Sequence, residues 1–396
     1  MDIADQLSLL RGAVVTHTYA TGPGQELEKF LSERTKELIF IGHPLPYSED
    51  TRTVFKHYVR GALQEVLFGR ALRIPYLARY AKDVLSTWSW VNRVDRPLDF
   101  LVGANTLNAA TGVWLRRARI VRTSILYSID YIPYRFSNPL LNSLYHKLDK
   151  FCLTNCDYIW NLSSVMREER EARGIDIKNS APQITVPEGV HFNETNRLRI
   201  DQIDRHKIVF LGHLRKYQGL SVLLNAMADV VKEIPTASLL IIGKGELEHE
   251  IRMQASQLGL QKHVTLTGYI ESHKTIDEMM ARCAIGVAPY EPDPLSYTFY
   301  TDSAKIKRYM VCGLPVITTA VASNSDLIAE RHLGTVPDYN KKALASALIQ
   351  FLKDDKLFRE CRANAIDYAS TIDWTKIFDR ALSQSLFNSN SIADIH

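Results

Sequence analysis

Apolar and polar positions follow two rhythms along this chain. Short runs rich in Val, Ile, Leu and Phe alternate with longer stretches where apolar residues return every three or four positions. In the first half the pattern predicts strands at 13–17, 37–41, 100–103, 120–127, 158–161 and 183–186. It predicts helices at 24–34, 107–117, 140–154 and 165–173. In the second half it predicts strands at 207–211, 237–242, 264–267, 285–289 and 315–318. Helices are expected there at 220–233, 246–258, 273–281, 303–311, 342–354 and 356–369. Strands alternating with helices predict an α/β fold with one parallel sheet in each half. The polar run 193–206, NETNRLRIDQIDRH, reads as a linker. It separates domains at 1–195 and 206–372, with a terminal helical segment at 373–396. Two such domains face a cleft lined by loops at the carboxyl ends of their strands.

Composition narrows the class. Apolar residues make up 46% and charged residues 23% of the chain, which suits a globular protein in water. No apolar run reaches the roughly 18 residues that span a bilayer. The start, Met1-Asp2-Ile3-Ala4-Asp5, lacks the basic and apolar regions of a signal peptide, so a cytoplasmic place is expected. Cys152, Cys156, Cys283, Cys312 and Cys361 are odd in number and scattered, which speaks against a disulfide framework. Cys152 and Cys156 sit one helical turn apart with no nearby His partner, so packing is the expected role and metal binding is not.

Charge is concentrated in one stretch of the chain. Residues 51–100 carry nine basic and four acidic side chains, a balance of +5 within a chain whose net charge is +4. The basic residues are interleaved with Phe55, Tyr58, Phe68, Tyr76, Trp88 and Trp90. Two readings stand. The stretch from 51 to 93 lies on an anionic membrane surface, at the inner face of the membrane. Alternatively, it forms two ordinary amphipathic helices with a solvated basic face. The confinement of the charge to this stretch, with no reading motif, argues against nucleic acid as a partner.

Three segments carry candidate chemistry. A buried strand ends at Gly243-Lys244-Gly245, where glycines permit close backbone approach before a helix. The run FLGHLRKYQG, from Phe210 to Gly219, places Gly212, Arg215 and Lys216 after another strand, and such cations suit a diphosphate. The run YTFYTDSAKIKRYMVCGLP, 297–315, offers Asp302 or Ser303 as helix N-cap. Its Lys305 falls in the first turn, where the helix dipole disfavours a cation unless an anion is bound. Each segment also has a plain reading, as a turn, a solvated loop or a cap.

Taken in order, these segments, with VTLTGY at 264–269, GVAPY at 286–290 and YMVCGLPVI at 309–317, resemble the donor-binding domain of GT-B glycosyltransferases. They are most similar to the retaining family 4. The resemblance implies two Rossmann-like domains, transfer of a sugar from a nucleotide diphosphate sugar to a glycan or lipid-linked acceptor, and no cofactor or metal. Trp374 and the helix after it fit the family's last helix, which crosses back to the first domain. The resemblance implies donor contacts at Gly212, Arg215, Lys216, Gly243, Lys244, Gly268, Tyr269, Tyr290, Tyr300, Asp302, Ser303, Lys305 and Arg308. Two family glutamates are replaced by Tyr300 and Arg308, a usual Arg by His213 and a usual Lys by Gln218. The 286–315 segment resembles instead the inverting, membrane-associated glucuronosyltransferases of xanthan-chain synthesis, which implies that Lys305 holds the diphosphate. By the same likeness Asp130, after the strand 120–127, is the general base of an inverting displacement. A retaining front-face reaction stays open. On the acceptor side the candidates are His17, Gly22, Gly24, Tyr131 and Arg135. The alternative, suggested by the replaced glutamates, is a degenerate GT-B protein that binds a glycan or membrane.

Overall fold

The computed structural model describes the chain except residues 1, 19–21, 46–47, 73, 130, 132–133, 294–297, 299–301 and 388–396. The chain divides into two compact units, 1–187 with 374–396, and 188–373. It therefore changes unit at Pro187, ahead of the polar run 193–206, which belongs to the second unit.

In the first unit the elements run α1 (Ile3–Leu7), β1 (Arg11–His17), α2 (Pro23–Ser32), β2 (Glu37–His43), β3 (Val54–Val59), β4 (Ala62–Phe68) and α3 (Tyr76–Val91). There follow β5 (Leu98–Ala104), α4 (Thr106–Arg117), β6 (Val121–Ser128), α5 (Pro139–Asn155), β7 (Tyr158–Asn161), α6 (Ser164–Ala172) and β8 (Gln183–Thr185). The sheet order is β4-β3-β2-β1-β5-β6-β7-β8. β1, β2 and β5 are buried along nearly their whole length, as strands covered on both faces must be. Asn138 accepts hydrogen bonds from the N–H groups of Leu140 and Leu141, and Pro139 opens α5.

The 51–100 stretch departs from the two expected helices. It holds the antiparallel hairpin β3–β4 and only one long helix, α3. The turn is Arg60-Gly61, both with positive φ (48° and 83°), the backbone of a two-residue hairpin turn. Phe55 is fully buried and stacks on Trp90 at 5.0 Å. Lys56 bonds Glu28 at 2.8 Å, and Arg93 lies 3.5 Å from Glu65. Much of the aromatic and basic content thus serves packing and pairing. Leu63, Val66, Phe68 and Leu85 remain exposed.

The second unit runs β9 (Asp204–Leu211), α7 (Leu220–Glu233), β10 (Ser238–Ile242), α8 (Glu248–Gln257), β11 (Val264–Leu266), α9 (His273–Ala281) and β12 (Cys283–Ala288). It continues with α10 (Ala304–Val311), β13 (Val316–Thr318), α11 (Ser325–Glu330), β14 (Gly334–Thr335), α12 (Lys341–Lys353) and α13 (Asp355–Thr371). Its sheet is parallel throughout, in the order β11-β10-β9-β12-β13-β14. Phe210, Leu223, Leu239, Ile285 and Phe351 are among the buried residues of its core. The last helix, α14 (Trp374–Leu382), belongs to the first unit, where Phe378 meets Phe30 at 5.4 Å. Each sheet has one topological switch point, between β1 and β5 in the first and between β9 and β12 in the second. Ligands of such sheets bind at the carboxyl ends of strands beside that point.

Candidate functional site

At the switch point of the second unit, three strand ends are sewn together by backbone. Gly212 N–H donates to the Ile242 carbonyl and Gly243 N–H to the Gly268 carbonyl, each at 3.0 Å. Gly212 and Gly243 have φ of 143° and 139°, a region L side chains rarely enter. A Cβ on Gly243 would overlap the Gly212 carbonyl oxygen, so glycine here is a packing requirement as well as a conformational one.

Lys305, in the first turn of α10, reaches over this seam. Its Nζ lies 4.3 Å from the Phe210 ring centre and 5.0 Å from that of Tyr290, and it donates to Gln218 Oε1. A Cβ on Gly212 would sit 2.8 Å from that Nζ. Among the described residues no carboxylate pairs with Lys305. Burial pushes its ammonium down to about 7. His213 is lowered too, by burial and then by the charges of Arg215, Lys305 and Lys244. Arg215 and Lys216 are exposed, and Lys216 Nζ lies 5.2 Å over the Tyr217 ring. Lys244 Nζ lies 5.0 Å over the ring of Tyr269, which is 62% exposed beside Gly268. The result is a cationic, glycine-floored rim with an aromatic face at one end.

Other expected donor contacts point elsewhere. Ser303 is the N-cap of α10, yet its hydroxyl meets Tyr290 OH at 2.7 Å instead of a helix N–H. The Asp302 carboxylate is consumed by buried partners: Lys307 Nζ, the Glu188 N–H at 2.9 Å and Asn324 Nδ2 at 3.1 Å. It binds protein groups, and the sequence alone did not reveal Lys307 as its counter-charge. Arg308 is held on α9 by Asp277 Oδ1 at 2.7 Å and by the His273 carbonyl at 2.8 Å. Tyr300 and Asp130 lie outside the described residues.

In the first unit, His17 ends β1 at the switch point. Its Nε2 lies 3.6 Å from Asp83 Oδ2 of α3, and the ring centre lies 5.9 Å from that of His43. His43 is enclosed, with Thr53 Oγ1 at 3.2 Å and Thr87 Oγ1 at 2.9 Å, and burial pushes it down to about 3, so it is neutral. Gly22 is the N-cap of α2, and a Cβ on Gly24 would sit 2.7 Å from Thr16 Oγ1, so α2 packs tightly on β1. Tyr131, expected to receive an acceptor, is buried instead, with its ring 4.5 Å from the Arg170 guanidinium. Burial pushes its hydroxyl up to about 12. Arg170 is itself enclosed and binds Asp149 twice, at 2.9 and 3.0 Å, Asn161 at 2.7 Å and Ser128 at 2.9 Å. That network fixes the carboxyl ends of β6 and β7. Arg135 stacks over Tyr145 at 5.6 Å. Asp83 and Arg170 were missed from sequence because each is brought to its site from a helix far along the chain.

All five cysteines are free and buried. Among the described residues no helix is long and apolar enough to cross a membrane, and no group of three or more His, Cys, Asp and Glu side chains is placed to hold a metal ion.

Residues 196–368 match the family of glycosyl transferases group 1. Spore coat protein SA of Bacillus subtilis is 26% identical over 223 residues, covering 53% of this chain and 56% of that protein. The chain spans about half the length of the curated relatives it matches. Among solved structures, sucrose-phosphate synthase from Thermosynechococcus elongatus aligns with a TM-score of 0.68 at 17% identity, covering 96% of this chain and 100% of that one. HepE of Anabaena, solved with UDP, aligns with a TM-score of 0.67 at 13% identity, covering 95% and 99%. The chain thus has the two-domain fold of GT-B glycosyltransferases, and its residues 196–368 are similar to the glycosyl transferases group 1 family.

Proposed function

We propose that this chain is a glycosyltransferase that moves a hexose from a nucleotide diphosphate sugar to a glycan or lipid-linked acceptor. The observation that carries the reading is Lys305. It is a half-buried ammonium with no carboxylate partner among the described residues, set over a glycine seam inside the segment similar to group 1 glycosyl transferases. Holding such a cation without an anion costs folding free energy, and a diphosphate supplies the missing charge. The base would lie by Gly268 and Tyr269, and the diphosphate against Lys305, with Arg215 and Lys244 at the rim. These cations stabilise the departing nucleoside diphosphate, so transfer proceeds without a metal ion. The acceptor hydroxyl must lose its proton in an inverting displacement, and Asp130 is one candidate for that base. The finer likeness to family 4 and to the xanthan-type glucuronosyltransferases belongs to this proposal. So does peripheral contact with the inner face of a membrane, through exposed Leu63, Val66, Phe68 and Leu85 beside the basic residues of 51–93.

The test is release of nucleoside diphosphate from a panel of UDP-, GDP- and ADP-sugars with glycan and lipid acceptors, with and without a chelator. Acceptor-dependent release from one donor class, unchanged by chelator, supports the reading. Nucleotide or glycan binding without turnover would favour a degenerate binding module, a reading to which Arg308, tied to Asp277 in place of a family glutamate, lends some weight.

A further inference from the structure

We infer that the first unit docks on an anionic bilayer by the tip of α5, with Tyr134, Leu140 and Leu144 entering the interface and Lys147 and Lys150 set against the lipid phosphates. The inference rests on the reading of a peripheral membrane contact. It gives that contact a second element, one that the charge of 51–93 does not reveal.

Leu140 is 81% exposed and Tyr134 73%, the two highest values for a large apolar side chain among the described residues, and Leu144 is 63% exposed. Leu140 and Leu144 are one helical turn apart, so they lie on one face of α5. Lys147 and Lys150 continue that stripe and are exposed too. The opposite face of α5 packs through Leu148, Cys152 and Leu153 against Ala109, Ala110 and Val113 of α4, so the outward leucines take no part in this core. Charge selects what covers them. From 134 to 150 the chain carries Arg135, Lys147 and Lys150 and a single carboxylate, Asp149. That carboxylate is fully enclosed and bonded to Arg170. Arg173, 5.0 Å over the Tyr134 ring, is paired with Glu169 at 2.9 Å. An apolar tip backed by cations, with no exposed carboxylate from 134 to 150, matches anionic lipid. The apolar side chains reach the acyl boundary while the ammonium groups meet phosphate. The hairpin is less suited. Its Phe68 lies under the Arg52 guanidinium at 4.7 Å, and Asp50 and Glu65 keep 55% and 41% of their side-chain exposure.

The dimensions agree. Leu140 and Lys150 are separated by roughly 15 Å along the helix axis. A tip lowered by about 5–10 Å, the depth of an interfacial anchor, takes in both leucines and leaves the lysines at headgroup level. Asn138 accepts from the N–H groups of Leu140 and Leu141, so the entering helix end carries fewer open donors. The positive end of the helix dipole also faces the anionic surface. The segment leading into α5 leaves the carboxyl end of β6, the end of the sheet at which ligands of such folds bind. A lipid-linked acceptor held in the same bilayer would therefore arrive at that end.

The test is flotation of the full chain with vesicles of phosphatidylcholine and phosphatidylglycerol in equal parts, and with vesicles of phosphatidylcholine alone. Wild type should float with the anionic vesicles and stay in solution with the neutral ones. Raising the salt from about 0.05 to about 0.5 M should release it. Leu140→Glu and Leu144→Glu should each lower the partition coefficient by about tenfold or more. Lys147→Gln and Lys150→Gln should each lower it about fivefold. All four side chains are exposed, so the melting temperature should match wild type, which separates lost docking from lost folding. Leu140→Glu and Leu144→Glu within about twofold of wild type, with Phe68→Glu releasing the chain, overturns the inference and leaves the membrane reading on the hairpin. Equal flotation with neutral vesicles overturns the choice of anionic lipid. A concentration-dependent dimer abolished by Leu144→Glu, without flotation, would assign the face to a second copy of the chain. Wild type that neither floats nor dimerises would remove the membrane reading itself, and the inference with it.

Discussion

Lys305 makes the affinity for a nucleotide sugar depend on pH in a direction that can be worked out. In the free protein its ammonium is pushed down to about 7 by burial. A bound diphosphate favours the charged form and raises that value. Binding therefore takes up a proton whenever the pH lies between the free and bound values, and affinity falls as pH rises through that window. Below about 7 the ammonium is already charged and affinity is flat. Above it, the limiting slope is tenfold per pH unit, about 1.4 kcal/mol. The sugar-linked diphosphate itself has no group titrating near 7. Calorimetric titration of the donor from pH 6 to 8.5 should show affinity dropping on the order of tenfold between 7 and 8.5. Lys305→Met should bind roughly 10- to 100-fold more weakly at pH 6.5, from loss of a charge-assisted contact worth about 1.5–3 kcal/mol. Its remaining affinity should be flat with pH. An equal slope in wild type and Lys305→Met would refute the argument.

Other outcomes follow from the same geometry. Asp302→Asn should lower stability by about 3–5 kcal/mol by leaving the buried Lys307 ammonium without its counter-charge, read as a fall in melting temperature. Phe55→Ala should cost about 3–5 kcal/mol in denaturant titration, because the ring is fully enclosed against Trp90. His43 sits below its unfolded value, so its contribution is complete above about pH 6.5 and is lost as pH falls from there toward about 3. Stability measured across pH 4 to 7 should rise with pH, and His43→Gln should flatten that slope. Gly243→Ala should abolish the donor-induced thermal shift, since its Cβ overlaps the Gly212 carbonyl.

The sheets were legible because their strands are near-continuous apolar runs, as in Leu239-Leu240-Ile241-Ile242, whose burial on both faces leaves little ambiguity. The hairpin was not. Its turn is Arg60-Gly61, not the Asn-Gly or Asp-Gly that usually announces such a turn, and β4 is exposed along much of its length, which blurs the alternation. The glycine turns and the position of Lys305 in the first turn of α10 could be read because turn geometry and helix boundaries are local. Asp302 and Arg308 could not be placed, since what decides them is Lys307, Glu188, Asn324, Asp277 and His273 in three dimensions. The pairing of His17 with Asp83 joins a strand end to a distant helix, and no spacing in the sequence announces it.

The most direct measurement is a crystal structure of the chain with a nucleotide sugar or its nucleoside diphosphate product. Phosphate oxygens should lie within hydrogen-bonding distance of Lys305 Nζ, over the seam of Gly212 and Gly243, with the base beside Gly268 and Tyr269. A nucleotide seated elsewhere, with Lys305 still bonded to Gln218, would contradict the donor site proposed here.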